Sequence, residues 1–120
     1  MARILVVDDA EAERDLVGYL IRARDHEPEF ARNGEEAVHA VVVSIPDLVL
    51  MDLQMPGVDG YEALATIRRE VSNAVPVLAL TAFAAVGERE KALTAGFDGF
   101  FSKPIAVETF MDQLEAFLDR

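Results

Sequence analysis

The chain has no cysteine. That excludes disulfides, thiolate nucleophiles and cysteine-based zinc sites, and it suits a cytoplasmic setting. Basic residues are scarce: 11 Lys and Arg against 22 Asp and Glu, for a net charge of −11. No basic stripe exists to replace phosphate counterions, so direct nucleic-acid binding is not expected. The acidic balance favours cationic or metal partners. No apolar run approaches the length of a membrane span, so no membrane insertion is expected. The run that opens at Arg3 is strand-like, without a charged leader or cleavage site, so no secretory signal is expected. Repeats, low-complexity segments and linkers are also missing. What remains is 120 residues, 52% hydrophobic and 28% charged, read as a single globular domain over 1–120.

The stretch from Pro46 to Asp52 is nearly continuous in apolar residues and ends on a carboxylate. A run of this length bounded by turn residues reads as a strand buried on both faces. Similar runs occur at Arg3–Val7, ending on Asp8-Asp9, and at Val75–Thr81. A shorter one covers Gly99–Lys103, and Glu27–Ala31, with a proline and alternating charge, reads as an edge strand. Helices are expected between them. Glu11 to Asp25 carries Leu16, Val17, Leu20 and Ala23 on one face. Asn33 is a candidate N-cap with Glu36 three residues on, and Ala37, Val38, Val41 and Val42 form the next face. Leu64, Ile67 and Val71 mark a third helix. Ala84 to Ala95 has good helix propensity but a thin apolar face, so it should be the least firmly anchored. From Val107, apolar residues recur at offsets of 3, 4, 7, 10 and 11, through Leu118. Strands alternating with helices over short connections imply an α/β fold: a doubly wound five-stranded parallel sheet, order 2-1-3-4-5, flavodoxin-like.

In a parallel sheet the carboxyl ends of all strands share one edge. Asp8, Asp9, Asp52, Thr81 and Lys103 therefore meet around one crevice. Each has an ordinary reading alone: Asp52 ends a strand, Asp8-Asp9 and Thr81 cap helices, and Lys103 is a solvated charge. Together they point to chemistry. Three carboxylates close together repel unless a cation sits among them. Mg²⁺ suits oxygen donors in a chain with no cysteine and no clustered histidine. A carboxylate nucleophile at Asp52, with Mg²⁺, an ammonium and a hydroxyl around it, suits phosphoryl transfer to give an aspartyl phosphate.

The Asp-Asp after the first strand, the L-M-D-L-Q-M-P-G-V-D-G segment, the L-T-A segment and the F-S-K-P segment resemble the receiver domains of two-component response regulators. The resemblance covers the whole chain. The T-A-F-A and F-S-K-P-I segments look most like single-domain receivers of the cell-cycle regulator type. The resemblance implies that Asp52 is the phosphoacceptor, Asp9 a direct metal ligand, and Asp8 a ligand mainly through water. It implies that the Gln54 carbonyl completes the protein's share of the Mg²⁺ shell and that Thr81 and Lys103 bind the phosphoryl group. It places Phe100 at the family's aromatic switch position and a cis peptide at Lys103-Pro104. Arg24-Asp25 stands where many relatives have glycine, so Asp25 must tolerate the turn. Phe83, two residues past Thr81, either faces the phosphoryl group or packs ordinarily.

The expected partners are a sensor histidine kinase or histidine phosphotransferase upstream and a protein target downstream. The expected role is a signalling phosphoacceptor that assists its own phosphotransfer and dephosphorylation, not an enzyme. Two other readings compete. A haloacid-dehalogenase-like phosphatase also uses an Asp nucleophile and Mg²⁺, but wants an acid two residues later, where Gln54 stands. A pseudo-receiver acting without phosphorylation is the other, and all five site residues argue against it. No output domain is expected within these residues.

Overall fold

Burial on both faces is what orders this sheet. Leu48–Asp52 (β3) and Val77–Thr81 (β4) are buried at every residue and occupy interior positions. Arg3–Val7 (β1) lies on the other side of β3, and Glu27–Ala31 (β2) and the shorter Gly99–Ser102 (β5) form the edges. All pairs are parallel, in the order β2-β1-β3-β4-β5 expected of the sequence. The computed structural model describes residues 1–118, so the last two residues of the expected domain lie outside it.

The helices are Glu11–Ala23 (α1), Gly34–Val43 (α2), Gly60–Glu70 (α3), Glu88–Ala95 (α4) and Phe110–Leu118 (α5). Side chains alternate across each strand, so the sheet has two cores. Leu5, Val7, Val49, Met51, Val77 and Ala79 pack with Ala37, Val41, Leu64, Ile67 and Ala92 from α2, α3 and α4. Ile4, Val6, Leu48, Leu50, Leu78 and Leu80 pack with Val17, Ile21, Phe110 and Leu114 from α1 and α5. No helix among the described residues is long and apolar enough to cross a membrane.

Several local expectations need correction. In α1 the buried residues are Val17, Gly18 and Ile21, while Leu16 and Ala23 are exposed and Leu20 is half-buried. Gly18 is buried under the Phe30 ring: a Cβ there would lie 2.7 Å from Phe30 Cζ and would push that side chain aside. The helix stops at Ala23, and Asp25 makes the turn with φ 62, its N–H donating to the Arg22 carbonyl at 3.0 Å. Asp is among the few residues that tolerate this region. In α2, Val42 is exposed although the periodicity put it on the apolar face.

β4 begins at Val77, not Val75, because Pro76 has no N–H for the ladder; its carbonyl still accepts from Val49 at 2.9 Å. α4 starts at Glu88, not Ala84. Residues 82–87 are solvent-exposed and Gly87 has φ 87, so neither packing nor backbone favours helix there. Ala92 is its one buried residue, in line with the thin apolar face. α5 starts at Phe110, after a turn in which the N–H groups of Thr109 and Phe110 both donate to the Ala106 carbonyl; Val107 stays exposed. β5 stops at Ser102, although the Lys103 N–H still reaches the Thr81 carbonyl at 2.8 Å.

Asp59 caps α3, accepting from the Glu62 N–H at 2.9 Å, and brings the loop back onto the end of β3. A Cβ on Gly60 would stand 2.6 Å from the Asp52 carbonyl oxygen and 3.0 Å from Leu53 Cα. Backbone cannot yield there cheaply. Gly60→Ala is expected to lower stability by about 1–3 kcal/mol, read by urea unfolding. An unchanged midpoint would show that this close approach does not constrain the loop.

Candidate functional site

The polar residues at the carboxyl edge do converge. Asp8 and Asp52 are 0% and 3% exposed and Thr81 is 0% exposed, whereas Asp9 faces solvent. One carboxylate oxygen from each of Asp8, Asp9 and Asp52 lies within 4.8 Å of the others. Lys103 reaches in from the β5–α5 connection, where the Lys103-Pro104 peptide is cis as expected. Its Nζ donates to Asp8 Oδ2 at 3.0 Å and to Asp52 Oδ2 at 3.4 Å.

Each buried carboxylate divides its work. Asp8 Oδ1 accepts from the Ala10 N–H at 2.9 Å, and Asp52 Oδ1 accepts from the Gln54 N–H at 3.1 Å. These are the local turn bonds that an ordinary reading of either residue supplies. The second oxygen of each faces the pocket and Lys103. The same holds for Thr81: its Oγ1 accepts from the Phe83 N–H at 3.0 Å, which leaves the hydroxyl proton to donate elsewhere.

Burial, with the nearby Asp8 charge adding to it, pushes the Asp52 carboxyl up to about 6; the Gln54 N–H and Lys103 pull the other way. Burial alone would lower the Lys103 pKa, but its hydrogen bond to Asp8 and the charges of Asp52 and Asp8 outweigh that, and the net shift is upward. Lys103 therefore stays an ammonium and acts as the pocket's cation. The donor set is oxygen only, closely spaced and anionic, which fits a hard divalent cation and not a soft one.

Phe100 is half-buried. It pairs in register with Ala79 and packs against the core that includes Ala92 and Phe97, on the same sheet face as Thr81. Phe83 is 60% exposed, so it is not packed in the core. Three residues near the site escaped the sequence reading. The Arg14 guanidinium donates to the Asp8 carbonyl at 2.8 Å. Glu13, beside it in the first turn of α1, has a charge that Lys103 feels. Tyr61 donates to Glu88 at 3.0 Å, carries Lys91 4.8 Å above its ring and meets Phe97 edge-on, tying α4 to α3. Burial and Glu88 push the Tyr61 phenol up to about 12. Position in the first turn of a helix that follows a functional loop was the one available signal for Glu13 and Arg14, since helical side chains lean back toward the N-terminus. A cavity of about 500 Å³ lined by Ala2, His26, Asp47 and Glu115 lies at the opposite, amino-terminal edge of the strands. Its histidine is already paired: His26 accepts from the Ala2 N–H at 3.0 Å and meets Glu115 at 2.8 Å.

A parallel 2-1-3-4-5 sheet with this acid–lysine–threonine edge defines a receiver, and the chain belongs to the response regulator receiver domain family, whose model matches residues 4–115. It is thus a receiver domain of two-component systems. It is 35% identical over 116 residues to the polar-differentiation response regulator DivK of Brucella anthropi, covering 96% of this chain and 94% of that one. It is 36% identical over 118 residues to the response regulator MprA of Mycolicibacterium vanbaalenii, of which it spans 51%. Among solved structures, the chemotaxis protein CheY4 of Vibrio cholerae superposes with a TM-score of 0.87 at 27% identity, covering 97% of this chain and 98% of that one. A Francisella response regulator receiver domain gives a TM-score of 0.93 over 100% of this chain and 98% of that one; at 22% identity it speaks for the fold.

The Asp52 shift has a consequence for stability. Its folded value, about 6, lies above the ordinary aspartate value of 3.8. Between these values the folded chain holds a proton that the unfolded chain has released, so stability falls as pH rises through the window. Without divalent cations, Asp52→Asn is expected to exceed the parent chain by about 1–3 kcal/mol at pH 8. Most of that gain should be gone near pH 4.5. Urea unfolding at both pH values checks it; no gain at pH 8 would contradict the shift.

Proposed function

We propose that Asp52 accepts a phosphoryl group from a phosphohistidine on a sensor kinase or histidine phosphotransferase. Supporting this most directly is Lys103, whose ammonium spans the pocket-facing oxygens of Asp8 and Asp52. A pocket that already draws in a cation is built for dianionic chemistry. An Asp52 oxygen attacks phosphorus, the P–N bond breaks, and the imidazole leaves with its electron pair and takes up a proton. The product is an acyl phosphate. Lys103 and the Thr81 hydroxyl then bond the equatorial oxygens. Asp8, Asp9, Asp52 and the Gln54 carbonyl would hold Mg²⁺, which when bound offsets negative charge on the transferring group.

The role is that of a phosphoacceptor that promotes its own phosphorylation and dephosphorylation, not of a turnover enzyme. A haloacid-dehalogenase-like phosphatase is disfavoured by the neutral amide at Gln54, which cannot serve as a general acid. A pseudo-receiver is disfavoured by the complete set of five site residues. The setting is cytoplasmic, and the downstream partner is a protein, not nucleic acid, in keeping with the net charge of −11.

Phosphorylation draws the Thr81 hydroxyl inward, and Phe100, on the same sheet face, turns into the space behind it. A complete switch needs about 5.5 kcal/mol of differential stabilisation. Charge-assisted hydrogen bonds at roughly 1.5–3 kcal/mol each supply that order of magnitude. The element that yields is α4, with its single buried residue.

Incubation with a small acyl phosphate should place a labile phosphate on Asp52, mapped by mass spectrometry. Labelling should vanish in Asp52→Asn and with EDTA, and Lys103→Gln should slow it by about 10²–10³-fold. Full labelling of Asp52→Asn would overturn the assignment. For the switch, beryllofluoride should alter amide exchange as far as residues 84–103, and Thr81→Ala should confine the change to the loops around Asp52. Confinement in the parent chain would overturn the coupling.

A further inference from the structure

Glu13 Oε1 is the one buried side-chain polar atom without a hydrogen-bond partner among the described residues. A buried carboxylate oxygen without a donor is costly, and such a group in a folded protein calls for an explanation such as a bound ion or a functional role. Glu13 stands in the first turn of α1, where side chains lean back toward the loop that carries Asp8 and Asp9. The two cations of this region are committed elsewhere: Arg14 to the Asp8 carbonyl, and Lys103 to Asp8 and Asp52. Yet the Glu13 charge is among those that act on Lys103.

Lys103 occupies oxygens that a divalent cation needs. Its Nζ is 3.0 Å from Asp8 Oδ2 and 3.4 Å from Asp52 Oδ2. Two cations on the same oxygens repel strongly at this range. A metal that enters the cluster must therefore move the ammonium. Lys103 is largely buried, its side chain 18% exposed, and a buried ammonium without an anionic partner is expensive. Its flexible four-carbon stem allows a swing.

We propose that Glu13 is a positioning residue for Lys103: its unpartnered carboxylate oxygen receives the ammonium when a divalent cation takes over the pocket-facing oxygens of Asp8 and Asp52. This rests on the reading of the pocket as a metal-dependent phosphoacceptor. The contact belongs to the metal-loaded, unphosphorylated state. It keeps Lys103 beside the pocket and charged, ready for the phosphoryl oxygens, and it lowers the cost of metal entry. Once the phosphoryl group arrives, Lys103 leaves Glu13 for it.

Mg²⁺ titrations followed by amide shifts separate the possibilities. The four chains are the parent, Glu13→Gln, Lys103→Gln and the double variant. Glu13→Gln should weaken Mg²⁺ binding by about tenfold. In the Lys103→Gln background the same change should cost less than about twofold, because no ammonium needs a receiver. In the parent chain, a nuclear Overhauser contact between the Lys103 and Glu13 side chains should appear only with Mg²⁺, a readout that needs no substitution. Equal losses in both backgrounds would mean that Glu13 acts on the metal directly, and no loss or no contact would mean that it does not receive Lys103; each overturns the assignment while leaving the metal site standing. Failure of the parent chain to bind Mg²⁺ would overturn both.

Discussion

One ammonium holds the functional edge together. Lys103 sits between two carboxylates that are almost wholly removed from water, and neither could stay there unpaired as an anion. Asp8 comes from the end of β1, Asp52 from β3 and Lys103 from beyond β5, so the ion pairs cross the sheet. They can form only if all three strands run the same way and in this order. The topology thus serves the site: it gathers charges far apart in the chain onto one edge and covers them with loops.

The same constraint underlies the reactivity proposed for the pocket. Asp8 and Asp52 each spend one oxygen on a turn N–H, which fixes their orientation, and leave the other facing inward. One lysine is a poor match for two inward oxygens and an exposed Asp9 beside them. Burial of this carboxylate, with the Asp8 charge adding to it, shows as the raised Asp52 carboxyl. A divalent cation would relieve it, and so, in the proposed reaction, would conversion of Asp52 to an acyl phosphate contacted by Lys103 and Thr81. The folded state carries a cost at Asp52 that a ligand would remove, and that would link binding at the pocket to the stability of the fold.

The sheet and the site residues were legible in the sequence because each rests on a local signal. Buried parallel strands read as unbroken apolar runs, and the polar residue that ends each run is carried to the common edge. Helix faces and starts were less legible. In α1, Leu16 and Val17 are adjacent and periodicity cannot choose between them; packing in the core with Ile4, Val6 and Leu50 chooses Val17. Ala84 to Ala95 has helix-forming composition as a whole, but residues 84–87 are exposed and Gly87 takes a left-handed turn. Glu13, Arg14 and Tyr61 were missed for a common reason. The contacts of Arg14 with the Asp8 carbonyl and of Tyr61 with Glu88, and the charge effect of Glu13 on Lys103, are set by tertiary geometry, and a charged or aromatic residue on a helix has no sequence mark that says which neighbour it meets.

The central claim is that burial leaves Asp52 short of positive charge until a metal or phosphoryl group arrives. Carboxyl-carbon NMR titration of Asp52, with and without Mg²⁺, tests it most directly. Without metal the midpoint should lie near 6, and saturating Mg²⁺ should move it down into or below the ordinary carboxylate range. A metal-free midpoint already at the ordinary value of 3.8, unmoved by Mg²⁺, would contradict the claim.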